Sequence, residues 1–169
     1  MDFDGDYVTL DGAVCKPHPR QEPRPPIMVG GGGEEFTLRI AAKHADSWNY
    51  WGPPHVLQHK LDVLGAHCET YGTDYDAIEK SWFARCIVRE TQAEVDELLE
   101  NVPRFEPTDD WDEISEGEYL NLVGTPERLR SIVERYDEMG FDECVVEFVD
   151  FPHDDGPELF AEEVVPAFQ

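Results

Sequence analysis

Apolar positions along this chain follow two rhythms in alternation. Ile27, Met28 and Val29 form a short continuous apolar run, and Leu38, Ala41, Ala42 and Ala45 then recur at the spacing of one helix face. Residues 46–49 read as a second strand. After them Leu57, Leu61, Leu64, Cys68 and Tyr71 recur at steps of four, three, four and three, which predicts a long amphipathic helix. Residues 82–88 are a third strand candidate, followed by a helix marked by Val95, Leu98, Leu99 and Val102. Leu129, Ile132, Val133 and Tyr136 stripe another helix, and Cys144, Val145, Val146, Phe148 and Val149 make a nearly continuous apolar strand. Such a strand is expected in a parallel sheet covered on both faces. A last helix is predicted over residues 157–165.

Breakers fall between these segments. A Gly-Asp turn beside Tyr7-Val8-Thr9-Leu10 suggests a hairpin-like stretch over residues 3–10, and the prolines of residues 16–26 mark a connecting loop. Gly72 and Gly140 are placed to end helices in left-handed conformations, Pro103 stops another, and Thr125-Pro126 opens one as N-cap and first-turn residue. Residues 103–118 read as an acidic insertion, irregular and solvated from 106 onward. Strands alternating with helices imply parallel βα units. Four of them predict an α/β fold, half of a TIM barrel, in a single domain over residues 1–169; a complete barrel usually needs about 250 residues.

Composition narrows the function classes. The 38 acidic and 13 basic residues of the 169 give a formal charge of -25, which repels phosphate backbones and anionic membranes, so neither nucleic acid nor membrane is expected as a partner. The acidic excess is spread along the chain, and lysine is reduced to Lys16, Lys43, Lys60 and Lys80, a pattern suited to concentrated salt. Cys15, Cys68, Cys86 and Cys144 form no Cys-x-x-Cys pair and read as small buried hydrophobes in a reducing compartment. No apolar run is long enough for a membrane span, and the first residues lack the features of a signal peptide, so a cytoplasmic location is expected.

Gly30-Gly31-Gly32-Gly33, between a strand and a helix, is the most informative chemistry. A helix N-terminus offers N–H groups and a positive dipole end to an anion, and glycines let that backbone approach it closely. The loop lacks the Gly-Lys-Ser/Thr ending of a nucleotide-hydrolysing P-loop and does not match G-x-G-x-x-G. No metal site is expected. His55 and His59 stand four apart without a third ligand nearby and read as a solvated helix face, while Asp109-Asp110 and Asp112-Glu113 lack EF-hand spacing.

Pro25-Pro26-Ile27-Met28-Val29 leading into the four glycines and Glu34, then Thr37-Leu38-Arg39-Ile40-Ala41-Ala42 and Ala45-Asp46-Ser47-Trp48-Asn49, resembles a segment of the bacterial luciferase-like superfamily. The helix from His59 to Cys68, the Tyr71-Gly72-Thr73-Asp74 turn and Gly124-Thr125-Pro126-Glu127 are similar to its deazaflavin-dependent members. The resemblance runs from about Phe3 to the C-terminus and implies the C-terminal half of a barrel that binds FMN or coenzyme F420. It assigns the coenzyme phosphate to Gly30, Gly31, Gly32 and Gly33, with Glu34 at the helix start and Thr37 beside it; the Glu34 carboxylate has to point outward for this to hold. No catalytic residue carries over, because the family's first four βα units have no counterpart here.

Since barrel sites lie at the C-terminal ends of strands, Asn49, Tyr50 and Trp51 are candidates for a substrate pocket wall, with core packing as the alternative for Trp48 and Trp51. Arg85 and Glu147, mid-strand among apolar neighbours, are candidates for a charged pair lining the cavity, with exposure near strand ends as the alternative. Two functions follow. One is an oxidoreductase module that performs hydride transfer or monooxygenation on a small organic substrate when completed by the missing half. The other is a non-catalytic fragment or interaction subunit of a split enzyme, with a second chain or self-association closing the sheet edges.

Overall fold

The computed structural model of the chain describes residues 1–101, 106–107, 119–120, 122–150, 152 and 154–168. An antiparallel hairpin of β1 (Phe3–Asp4) and β2 (Thr9–Leu10) comes first, as the turn signal predicts. After the proline-rich loop the chain runs through β3 (Met28–Gly30), α1 (Thr37–His44), β4 (Ser47–Tyr50), α2 (Pro54–Tyr71), β5 (Glu79–Val88) and α3 (Gln92–Asn101). Two-residue strands β6 (Glu106–Pro107) and β7 (Tyr119–Leu120) pair with each other. β8 (Leu122–Gly124), α4 (Pro126–Glu138), β9 (Glu143–Phe148), α5 (Asp155–Glu163) and a short 3-10 turn (Val165–Phe168) complete the order. The rest of the acidic segment expected at 103–118, with Pro103 and the Asp109 to Glu113 cluster, lies outside the described residues.

The main sheet is parallel throughout. β3 pairs with β4, β4 with the first half of β5, and β9 with the middle of β5. β9 lies along residues 81–86 of β5, overlapping the stretches paired to β4 and to β8, so β4 and β8 share the opposite edge of β5 in succession. β8 is too short and too broken by Gly124 to be legible in the sequence. The result is an α/β fold with a five-stranded parallel sheet, β3-β4-β5 with β8 beyond β4 on one edge of β5 and β9 on the other, a partial barrel wall that does not close among the described residues.

The two faces of this wall differ. Val29, Trp48, Trp82, Ala84, Cys86, Cys144, Val146 and Phe148 share the face covered by the helices. There Leu38, Ala41 and Ala42 of α1 meet Leu57, Leu61, Leu64 and Cys68 of α2, and Leu129 and Tyr136 join from α4. Burial of these side chains from water is the main stabilising term, at about 1.5–3 kcal/mol for each large aliphatic one. Tyr136 stacks on Trp82 with ring centroids 3.8 Å apart, and its hydroxyl donates to the Gly52 carbonyl at 3.3 Å.

The opposite face carries Met28, Asn49, Ser81, Phe83, Arg85, Val145 and Glu147, all outside the helix-covered core; at its far end Ile87 packs with Val95, Leu98 and Leu99 of α3. Met28 is 50% exposed and Val145 40%. β9 therefore alternates between exposed and half-buried positions instead of being buried on both faces as its apolar run predicts.

Local stops follow sequence chemistry. Gly72 caps α2 with φ of 66°, and Gly140, with φ of 92°, follows α4. Thr125 is the N-cap of α4, as expected, but its hydroxyl makes no capping bond. Among the described residues no helix is long and apolar enough to cross a membrane.

Candidate functional site

The four glycines connect the C-terminal end of β3 to α1, and each is held for a different reason. Gly30 still belongs to β3, opposite Asn49. Gly31 has φ of 121°, closed to most L side chains; its N–H donates to the Asn49 carbonyl at 3.0 Å, and its carbonyl accepts the indole N–H of buried Trp48 at 2.9 Å. Gly32 lies over the Tyr50 ring, where a Cβ would come within 2.4 Å of ring carbon. At Gly33 a Cβ would approach the Thr37 hydroxyl to 2.9 Å, and the Gly33 carbonyl accepts the Leu38 N–H at 2.9 Å. α1 itself begins at Thr37, so Glu34 stands in the preceding turn and not at the helix start as expected.

The Glu34 carboxylate is drawn onto α2. Lys60 Nζ donates to Glu34 Oε1 at 2.6 Å, His59 Nε2 lies 3.1 Å from the same oxygen, and His67 Nε2 is 2.8 Å from the Glu34 backbone carbonyl. The Lys60 ammonium, with help from His59, holds the Glu34 carboxyl below the usual range. His59, expected on a merely solvated face, is thus exposed but engaged, and among the described residues no group of three metal-ligating side chains occurs. Before the strand, Arg24 pairs with Asp46, whose carboxylate also accepts the Ile27 N–H at 2.6 Å; the Arg24 bond chiefly lowers the Asp46 pKa.

The wall residues divide between the two faces. Asn49 lies on the uncovered face, its side-chain amide donating to Ser81 Oγ at 2.9 Å. Tyr50 lies on the helix side, between Gly32 and Trp48, with Trp51 6.2 Å from its ring. Trp48 is fully buried, in line with the packing alternative. Arg85 and Glu147 are register partners on the uncovered face, and Arg85 Nε donates to Glu147 Oε2 at 3.0 Å. They share that face with Gly30 and Asn49 but stand four residues farther along the sheet, about 13 Å.

At the far ends of β5 and β9, Arg89 pairs with buried Asp150 at 2.5 Å, and Asp150 Oδ1 has no hydrogen-bond partner. Arg89 also lines a cavity of about 520 Å³ with Glu90, Glu94, Glu97, Glu158 and Glu162. Cys68 and Cys86 are buried and Cys144 half-buried; burial pushes the Cys144 thiol up to about 12. Cys15, expected to be buried, is exposed, within a stretch whose neighbours Val14 and residues 16–20 are exposed as well. Sequence reasoning passed over Lys60, His67, Ser81, Arg89 and Asp150. Only the scarcity of lysine flags Lys60; the others have partners 32 to 61 positions away.

The sequence profile described as luciferase-like monooxygenase matches residues 1–143. An F420-dependent secondary alcohol dehydrogenase, solved with an F420–acetone adduct, superposes with a TM-score of 0.75 at 20% identity over 100% of this chain and 56% of that one. The coenzyme F420-dependent tetrahydromethanopterin reductase of Methanopyrus kandleri gives 0.74 at 17% identity, over 99% and 58%. A long-chain alkane monooxygenase gives 0.75 at 23% identity, over 99% and 46%. The chain thus spans roughly half the length of these solved structures.

Proposed function

Because the chain belongs to the luciferase-like monooxygenase family, we propose that it is the C-terminal half of an oxidoreductase barrel whose glycine loop holds the phosphate of FMN or coenzyme F420. The observation that carries this reading is the close packing at Gly32 and Gly33, where any side chain would collide with Tyr50 or Thr37, so that the turn into α1 is bare backbone of the kind that suits an anion. Gly31 and Leu38 already spend their N–H groups inside the protein. The amides of Gly32, Gly33 and the turn before α1, with the Thr37 hydroxyl, are the donors assigned to the phosphate.

When bound, such a coenzyme supplies a hydride or, as a reduced flavin, the electrons for oxygen activation. This chain's own part is to fix the phosphate and to furnish one wall of the cavity. Asn49, held by Ser81, and the Arg85–Glu147 pair provide polar groups on the uncovered face, while Tyr50, with Trp51 beside its ring, supports the loop from the helix side. The substrate is a small organic molecule, and its proton-transfer groups are expected on the complementary half.

A half-site predicts a specific affinity. Fluorescence titration of the isolated chain with FMN and with F420 is expected to give weak binding or none. Submicromolar binding by the monomer would overturn the half-site reading. The uncovered face and the two outer edges, at β3 and β9, also support a second reading, an interaction subunit without catalysis. An adjacent reading frame encoding four βα units of the same family favours the split enzyme; its absence favours the non-catalytic subunit.

A further inference from the structure

Glu34 follows the four glycines directly, and an ionised carboxylate there opposes any anion held by the neighbouring amides. α2 answers that charge from one side. Lys60 and His67, seven residues apart, lie on one helical face, and both reach Glu34, the first at its carboxylate and the second at its carbonyl. The Lys60 side chain is only 15% exposed, against 59% for His59, so its ammonium is the less hydrated of the two groups at Glu34 Oε1. Its Nζ is committed to Glu34 Oε1 at 2.6 Å, the shorter of the two contacts.

Resting on the phosphate reading above, we infer that Lys60, assisted by His59, is a positioning residue of the coenzyme site: it turns the Glu34 carboxylate onto α2 and cancels its charge. The anion then meets the glycine amides without the Glu34 charge beside them. His67 fixes the backbone of the same residue, so the turn that carries Glu34 cannot swing its carboxylate across the loop. The depressed Glu34 pKa agrees with this arrangement.

The test is a titration of the isotope-labelled full chain with inorganic phosphate, following the backbone amides of Gly30 to Gly33 by NMR, with the Glu34 carboxyl titrated in parallel. Lys60→Met is expected to weaken phosphate binding about two- to fivefold, and Glu34→Gln to tighten it by a similar factor. Lys60→Arg should stay near the wild type. The double variant Glu34→Gln/Lys60→Met should return to the wild-type affinity, since its local net charge is the same, and the Glu34 carboxyl should titrate higher in Lys60→Met than in the wild type. Unchanged binding in Lys60→Met, or a Glu34 titration that does not move, overturns the positioning role. A double variant as weak as Lys60→Met also overturns it and makes Lys60 a direct anion ligand. If neither the wild type nor Glu34→Gln shows a saturable shift of the glycine amides, the phosphate reading fails, which the Glu34 titration distinguishes from failure of the clamp.

Discussion

The four glycines look equivalent in the sequence and are not equivalent in the fold. Gly30→Ala adds a methyl group whose nearest neighbour is 4.0 Å away, on ordinary strand backbone, and should change stability by less than about 1 kcal/mol in either direction. Gly31→Ala meets a φ of 121° and Gly32→Ala meets the Tyr50 ring; each should cost about 1–3 kcal/mol. Urea unfolding at fixed salt ranks the three variants, and equal costs would show that the loop conformation is not under the constraints described. Asp46 makes a second prediction at a single side chain. Its native pKa is depressed by Arg24 and the Ile27 N–H, so its contribution is present above the unfolded carboxylate pKa of about 3.9 and lost as pH falls through the lower native value. Asp46→Asn should melt below the wild type at neutral pH and converge with it in acid, below the lowered native value; a gap that persists in strong acid would mean that packing, not charge, holds the proline loop.

α2 is the element on which the candidate site depends. One face buries Leu57, Leu61, Leu64 and Cys68 against α1, where Ala41 and Ala42 let the two helices approach closely. Another presents Lys60 and His67 to Glu34, so the packing that stabilises the fold also sets where that charge lies. Gly72 ends the helix in the left-handed conformation, its N–H near the Cys68 and Glu69 carbonyls. Since a Cβ at Gly72 meets nothing within 4 Å, Gly72→Ala should cost about 1 kcal/mol through backbone strain alone. Hydrogen exchange should then quicken most over the last turn of α2, including Cys68; uniform quickening across the chain would point to global destabilisation instead.

For the molecule as a whole, two kinds of electrostatics compete. Local pairs such as Lys60–Glu34 and Arg24–Asp46 are partly exposed and weaken with salt. Against them stand 38 acidic and 13 basic residues, whose mutual repulsion salt also screens, as the Debye length falls from about 10 Å at 0.1 M to 3 Å at 1 M. The excess is so large that relief of repulsion should win: thermal melts are expected to rise with potassium chloride into the molar range, and a flat or falling profile would refute adaptation to salt.

Most of the element order was legible from period and punctuation. The stripe from Leu57 to Tyr71 and the stop at Gly72 specify α2 locally, because helix periodicity and left-handed caps depend on neighbours a few residues away. The strands at Met28, Ser47 and Trp82, and the parallel order implied by alternating helices, were equally readable, and the Arg85–Glu147 pairing followed from strand alternation once the two strands were adjacent. The apolar run of β9 misled, because composition records that both faces suit burial without saying whether this chain covers them. Nor does a run of glycines reveal that Trp48 would hold Gly31, that Tyr50 would lie under Gly32, or that α2 would turn Glu34 away. Those contacts join residues 17 to 33 positions apart. They exist only after α1 and α2 have packed on one face of the sheet, since long-range proximity is set by the burial of whole elements and leaves no periodic trace in the chain.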